Sequence, residues 1–172
     1  MKKILALVLA LVMVLSVASA MAAGSKGGRD ISNVTTDSEE VTVSKTADND
    51  ATSAIKKLIS DAQTSGDALA ALPDDVKAQI PEGFKTVNEM ETFKTVGVLT
   101  EGDSIQLIFK FATPYKEGED VTVLLGIPND KETEWIVLKG KGNKDGDVVV
   151  TVTKAMLDKI GDKAFVVIPV SK

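Results

Sequence analysis

The sequence predicts a mainly β protein, an antiparallel sandwich of about six strands preceded by two short helices and a flexible tether. Three observations carry that expectation. From Ser104 to Ile127 two runs alternate with a period of two, Ile105, Leu107, Phe109 and Phe111 in one and Val121, Val123, Leu125 and Ile127 in the other; that is the mark of strands with one buried face. β-rich runs recur at intervals of about a dozen residues from Thr92 to Val170, with turn residues between them, which favours antiparallel strands over βαβ units. A length of 172 residues suits one ordinary domain with extensions.

Residues 1–20 have the three parts of a secretory signal peptide: basic Lys2 and Lys3, an apolar run from Ile4 to Val17, and small Ala18-Ser19-Ala20. Cleavage is expected after Ala20, or otherwise after Ala22 or Ala23. An uncleaved membrane anchor is the competing reading, because the uncharged run to Ala23 is about long enough to span a bilayer. Residues 21–50 read as a flexible tether. They are rich in Gly, Ser, Thr, Asp and Asn, and such a stretch buries too little apolar area to offset its ordering entropy. Only Glu40 to Ser44 suggests a short edge strand.

Residues 51–82 form the helical segment. Ile55, Leu58, Ile59 and Ala62 fall on one helical face, with Asp50 as N-cap and Ser65-Gly66 as the stop. A second short helix starts at Asp67 and carries Leu69 and Leu72, and Pro73-Asp74-Asp75 opens a further turn that closes at Ile80-Pro81. The sandwich occupies 83–172. Its strands are expected at Thr92–Leu99, at the two central runs, and at Glu134–Leu138, Asp147–Thr153 and Ala164–Val170. A helix capped by Thr153 covers Lys154–Ile160 and stops at Gly161. Thr113 to Asp120, with Pro, Gly and four charges, is a surface connection, so the central runs form either a hairpin or a crossing between sheets.

The stretch from Ile105 to Val170 resembles the immunoglobulin-like β-sandwich modules of bacterial secreted and surface proteins. Phe109-Lys110-Phe111, Val121 to Leu125, Glu134 to Leu138, and Gly146 to Val152 followed by Leu157 and Ala164 to Val167 carry the resemblance. It implies an Ig-like sandwich and adhesion, display or ligand binding. It transfers no site residue, and the Cys-Trp-Cys core of antibody domains is missing.

Composition excludes several chemistries. With no Cys and no His, disulfides, thiolate metal sites, a thiol nucleophile and a Ser-His-Asp triad are all ruled out. The formal charge of −5 moves to −7 when Lys2 and Lys3 leave with the leader, a balance that disfavours nucleic acid and anionic membranes. Lys141 to Asp147 imitates an EF-hand loop, but with Gly146 as the fixed glycine the end positions are Lys141 and Val152, which cannot complete the ligand shell. Gly102-Asp103-Ser104 imitates an ester-hydrolase block that would need a histidine base. Carboxylates cluster at Glu117, Glu119 and Asp120; at Asp130, Glu132 and Glu134; at Asp145 and Asp147; and at Asp158 and Asp162. Converging turns would make them a weak calcium site, and separate ones leave solvated acidic turns. Paired carboxylates could serve glycoside hydrolysis, but aromatic content is only 4%.

Tyr115 and Trp135 are the residues expected to contact a ligand or partner if they stand exposed together; core burial is the competing expectation for Trp135. The sequence reading is therefore a secreted, non-catalytic binding or structural module, on the cell surface or free, with no cofactor. Its expected partner is an extracellular protein or a cell-wall polysaccharide, with no nucleic acid, and with membrane contact only if the leader stays uncleaved. An inhibitor or accessory subunit of an extracellular enzyme, and a weak calcium or glycan binder, are the alternatives.

Overall fold

The computed structural model describes residues 29–130 and 132–172, so the expected leader and the first residues of the expected tether lie outside the described part. In chain order the elements are β1 (Ile31–Thr36), β2 (Val41–Lys45), α1 (Asp50–Thr64), a 3-10 turn (Ala68–Ala71), α2 (Asp74–Lys77), β3 (Thr86–Val87), β4 (Glu91–Gly97), β5 (Ser104–Phe111), β6 (Asp120–Pro128), β7 (Thr133–Gly142), β8 (Val148–Thr153), α3 (Lys154–Ile160) and β9 (Ala164–Ser171). Eight strands run β1-β5-β8-β7-β6-β9-β4-β2 in one antiparallel ladder, with short β3 added beside β9. An even number of antiparallel strands lets the first and last meet antiparallel as well. β1 and β2 do meet, through the Asp37–Glu40 turn, and Thr36 Oγ1 donates to Val41 O at 3.0 Å across the seam. The result is a nearly closed barrel.

This corrects the expectation of a two-sheet, six-strand sandwich, while the mainly β antiparallel class holds. Two strands turn the corners that make a curled sheet out of what looked like two layers. β7 lies along β6 from Asp120↔Lys141 to Pro128↔Thr133, but only its last residues, Gly140 to Gly142, also pair with β8. A Cβ at Gly140 would stand 2.7 Å from Val150 Cγ1, and one at Gly142 would stand 2.2 Å from Lys116 O, so this corner accepts no side chain. β4 makes the second corner, pairing β9 over Glu91–Lys94 and β2 over Phe93–Gly97.

The flexible tether is corrected too, because part of it forms β1 and β2. Ile31 pairs opposite Phe111 and Val34 opposite Phe109, and Val41 to Lys45 pair with Gly97 to Phe93. Ile31, Val34, Val41 and Val43 point inward and are buried, which supplies the apolar area that the composition seemed to lack. The central runs β5 and β6 are separated in the ladder by β8 and β7, so Thr113 to Asp120 crosses between two regions of the barrel and closes no hairpin.

The interior is solid. Phe93, Phe109 and Phe165 are fully buried, with ring centroids 6.4 and 6.5 Å apart around Phe93, among Leu107, Val123, Leu125, Ile127, Val150 and Val152. α1, the 3-10 turn and α2 cover one outer wall, where Ile55, Ile59, Leu72, Val76 and Phe84 bury Leu124, Val166, Ile168 and Val170. β6 and β9 are therefore buried on both faces, which accounts for their nearly unbroken apolar runs. Gly126 lets α1 approach, since a Cβ there would lie 3.1 Å from both Ile55 Cγ2 and Trp135 Cζ3. The helix is capped one residue earlier than the sequence suggested. Asn49 Oδ1 accepts from Thr52 N at 2.9 Å and Thr52 Oγ1 accepts from Asn49 N at 2.9 Å, a complete capping box.

Candidate functional site

Strand direction gives the barrel two ends. At one lie the starts of β1, β6 and β8 and the ends of β5, β7 and β9; Tyr115 sits in the crossing connection there. At the other lie the β1–β2 turn, the end of β4, the β4–β5 turn and α3.

The tyrosine end is sealed. Tyr115 is 3% exposed, edge-on to Phe111 with ring centroids 4.9 Å apart, and the Arg29 guanidinium lies 3.7 Å above its ring centre. Buried Asn88 donates through Nδ2 to the Tyr115 hydroxyl at 3.0 Å and to Ser171 Oγ at 3.4 Å, and its Oδ1 accepts from Arg29 N at 3.3 Å. Arg29 also reaches Glu119 at 3.4 Å. Burial pushes the Tyr115 phenol up against the opposing pull of Arg29. Tyr115 is thus a plug of the barrel end. Trp135 is half-buried on the outer wall, in the cluster under α1. The two aromatics expected to act together belong to separate clusters, and no shared surface joins them.

The groove end is open. A groove of about 460 Å³ runs between the end of β4 and α3, lined by Val41, Lys94 to Leu99, Leu157, Asp158, Gly161 and Asp162. Val96 and Val98 are 60% and 68% exposed, the most exposed large apolar side chains among the described residues. Val96 shares the outer face of β4 with Lys94, and Val98 follows just beyond the strand's last residue, Gly97, while Phe93 and Thr95 point inward and are buried. The edge of β4 here lacks a neighbour. Its ladder to β9 ends at Lys94↔Ala164, whereas the ladder to β2 continues to Gly97↔Val41. Thr46 N donates to Thr92 O at 2.9 Å, which fixes the alternation: Thr92, Lys94 and Val96 turn their main-chain groups to β2, and Phe93 and Thr95 turn theirs to the other side. On that other side the strand gives way to the Gly161–Lys163 turn, tied to β4 by Thr95 Oγ1 donating to Gly161 O at 2.7 Å.

The rim of the groove is rigid. Glu40 accepts from Thr100 N at 2.7 Å, from Glu101 N at 3.3 Å and from the Thr100 hydroxyl, and these bonds hold its carboxyl below the usual carboxylate range. Gly97 passes so close to the β1–β2 turn, at φ +105°, that a Cβ would lie 1.9 Å from Glu40 O. The valines escaped the sequence reading, although the alternation of Phe93 and Thr95 against Lys94, Val96 and Val98 carried the signal.

The acidic clusters do not converge. Glu119 and Asp120 lie at the tyrosine end, paired with Arg29 and Lys141, while Glu134 pairs with Lys159. Among the described residues no three acidic groups come close enough to hold an ion. One carboxyl pair does form, in a cleft of about 350 Å³ lined by Asp30, Lys56, Ser60, Gln63, Asn88 and Glu89. Hydrogen bonding to Asp30, then burial and the charges of Asp30 and Glu91, raise the Glu89 carboxyl above its ordinary value, with Lys45 opposing. No described helix is long and apolar enough to cross a membrane. Compared with known proteins, the chain matches no family model, no curated protein and no solved structure.

Proposed function

We propose that this chain is an exported, non-catalytic binding module whose binding face is the groove between β4 and α3. One observation carries the reading: two valines stand 60% and 68% exposed beside a strand edge without a ladder partner, whereas among the other described residues only Leu58, at 46%, is a large apolar side chain so exposed. Exposed apolar patches on a rigid frame are the usual mark of an interaction surface. The filled barrel interior supports a surface site over a lumen site. Export is read from the leader pattern of residues 1–20. An extracellular protein partner fits this groove better than a polysaccharide, because no aromatic side chain lines it to stack on sugar rings.

The test is a selection of displayed binders, both folded and peptidic, against the chain from Gly24 onward, followed by methyl NMR of the winners. Shifts concentrated at Val96, Val98 and Leu157 are the expected result. Winners that perturb only the tyrosine end or the helix-covered wall overturn the reading.

A further inference from the structure

We propose that the occupant of the groove is an extended peptide segment of a partner protein, which adds as a strand beside the last residues of β4, Thr95–Gly97, lays apolar side chains on Val96, Val98 and Leu157, and places a Lys or Arg against Asp158 and Asp162. This rests on the reading of the groove as the binding face and goes further by naming what fills it.

The case for a strand is geometric. β4 has β2 on one side as far as Gly97, but on the other side the ladder stops at Lys94, so the next few residues form an open edge of the kind that recruits an added strand. Folded proteins ordinarily blunt such an edge with charge, proline or a covering loop. Here the exposed residues past Lys94 are Val96, Gly97 and Val98, and the Gly161–Lys163 turn, tied to the strand only through the inward-facing Thr95 hydroxyl at 2.7 Å, leaves a groove beside them. Three residues, Thr95 to Gly97, at about 3.3 Å each give an edge of roughly 10 Å, which the middle of a six-residue peptide covers.

The charge requirement comes from the opposite wall. Asp158 and Asp162 are exposed, line the groove, and have no cationic partner within salt-bridge distance among the described residues. Lys94 lies on the strand side of the groove, so the added segment meets an acidic wall made by Asp158 of α3 and Asp162 of the turn after it, and an apolar, basic-ended face at the end of β4. A strand that alternates β-branched residues and carries one cation toward α3 matches both walls.

The experiment uses fluorescence anisotropy with a labelled six-residue peptide of alternating valine and threonine and one lysine, titrated with the chain from Gly24 onward. Two control peptides replace the central residue by proline or the lysine by glutamate. Saturable binding, weakened about tenfold or more by the proline, which removes a main-chain donor, and weakened also by the glutamate, supports the inference. Val96→Thr/Val98→Thr should lose binding while keeping the circular dichroism spectrum and melting midpoint, and Asp158→Asn/Asp162→Asn should weaken it with a reduced salt dependence. Equal binding of the proline peptide, or no binding, overturns the strand. Sedimentation showing that the groove valines instead hold two copies of this chain together overturns it as well. If selected folded binders still shift the Val96 and Val98 methyls while the peptide fails, the groove stands and only its occupant is wrong; if nothing reaches those methyls, both readings fall.

Discussion

The two ends of the barrel solve the same problem, how to finish a sheet that curls on itself, in opposite ways. At the tyrosine end, side chains do it: Tyr115 plugs the interior, and Asn88, Arg29, Glu119 and Ser171 satisfy or cover its polar atoms. At the groove end, a short helix and the backbone do it: α3 lays Ile160 into the core, Glu40 grips the Thr100 turn, Gly97 presses against the β1–β2 connection, and the valines beyond are left in solvent. One end is therefore closed by side-chain packing with nothing protruding, and the other presents its binding surface on a rigid backbone frame. Such a separation lets a small module carry an unprotected strand edge without unfolding around it.

Tyr115→Ala should break the contrast most severely. It empties a buried aromatic site, strips Asn88 of a partner and leaves Arg29 over a void, so a loss of about 3–5 kcal/mol in urea unfolding is expected. A loss below about 1 kcal/mol would mean that this end is no anchor. Gly97→Ala comes next, on the groove side. Positive φ and a Cβ 1.9 Å from a main-chain oxygen leave no room to adapt, and about 2–3 kcal/mol should be lost. That result would show the groove to be framed rigidly although its face is open.

What the sequence made legible divides along similar lines. Strands β5 to β9 and helix α3 could be read because each repeats a strong local period or a cap-and-stop pair, as with Thr153 and Gly161 around Lys154–Ile160. β1 could not, and β2 showed only as the short edge strand expected over Glu40 to Ser44, without its place in the barrel. Each buries only two apolar side chains, set among Ser, Asn and Thr, and what orders them is pairing with β5 and β4 far along the chain. Tyr115 misled for the same reason: Pro114 and the charged turn after it read as surface, while the residues that bury the ring, Arg29 and Asn88, come from distant segments. The single ladder was hidden because its corners depend on Gly140, Gly142 and Gly97, whose constraint is visible only when the neighbouring backbone is in place. The valines of the groove were readable as a pattern, but exposure is a property of what fails to pack on them.

Two smaller changes sharpen the picture of the closed end. Thr122, 1% exposed on the outer face of β6, has a buried hydroxyl with no hydrogen-bond partner in the structure. Thr122→Val keeps the shape and removes that cost, so a gain of about 1 kcal/mol is expected. Glu89→Gln addresses the carboxyl pair. Because Asp30 raises the folded-state value of Glu89 above its ordinary 4.5, the folded protein holds that proton more tightly than the unfolded chain. The contribution is full below the unfolded value and is lost as pH rises through the folded one. The variant should therefore gain slightly on wild type at neutral pH and lose that advantage in acid, as melting midpoints across the pH range would reveal. A variant that lost stability at neutral pH would show that Glu89 is ionised and usefully paired there.

Val96→Thr/Val98→Thr should have the smallest effect on folding, and for that reason it is the most telling. Both side chains are more than half exposed, so replacing a methyl by a hydroxyl costs little desolvation, and threonine keeps the β-branched shape that suits a strand. A stability change within about 0.5 kcal/mol is expected. If the valines instead supported the end of β4, the double variant would melt well below wild type and fray Thr95 to Leu99 in hydrogen exchange. An unchanged melt together with a lost ligand would leave only one reason for two adjacent apolar side chains to stand in water beside an open strand edge: something else covers them when the module is at work.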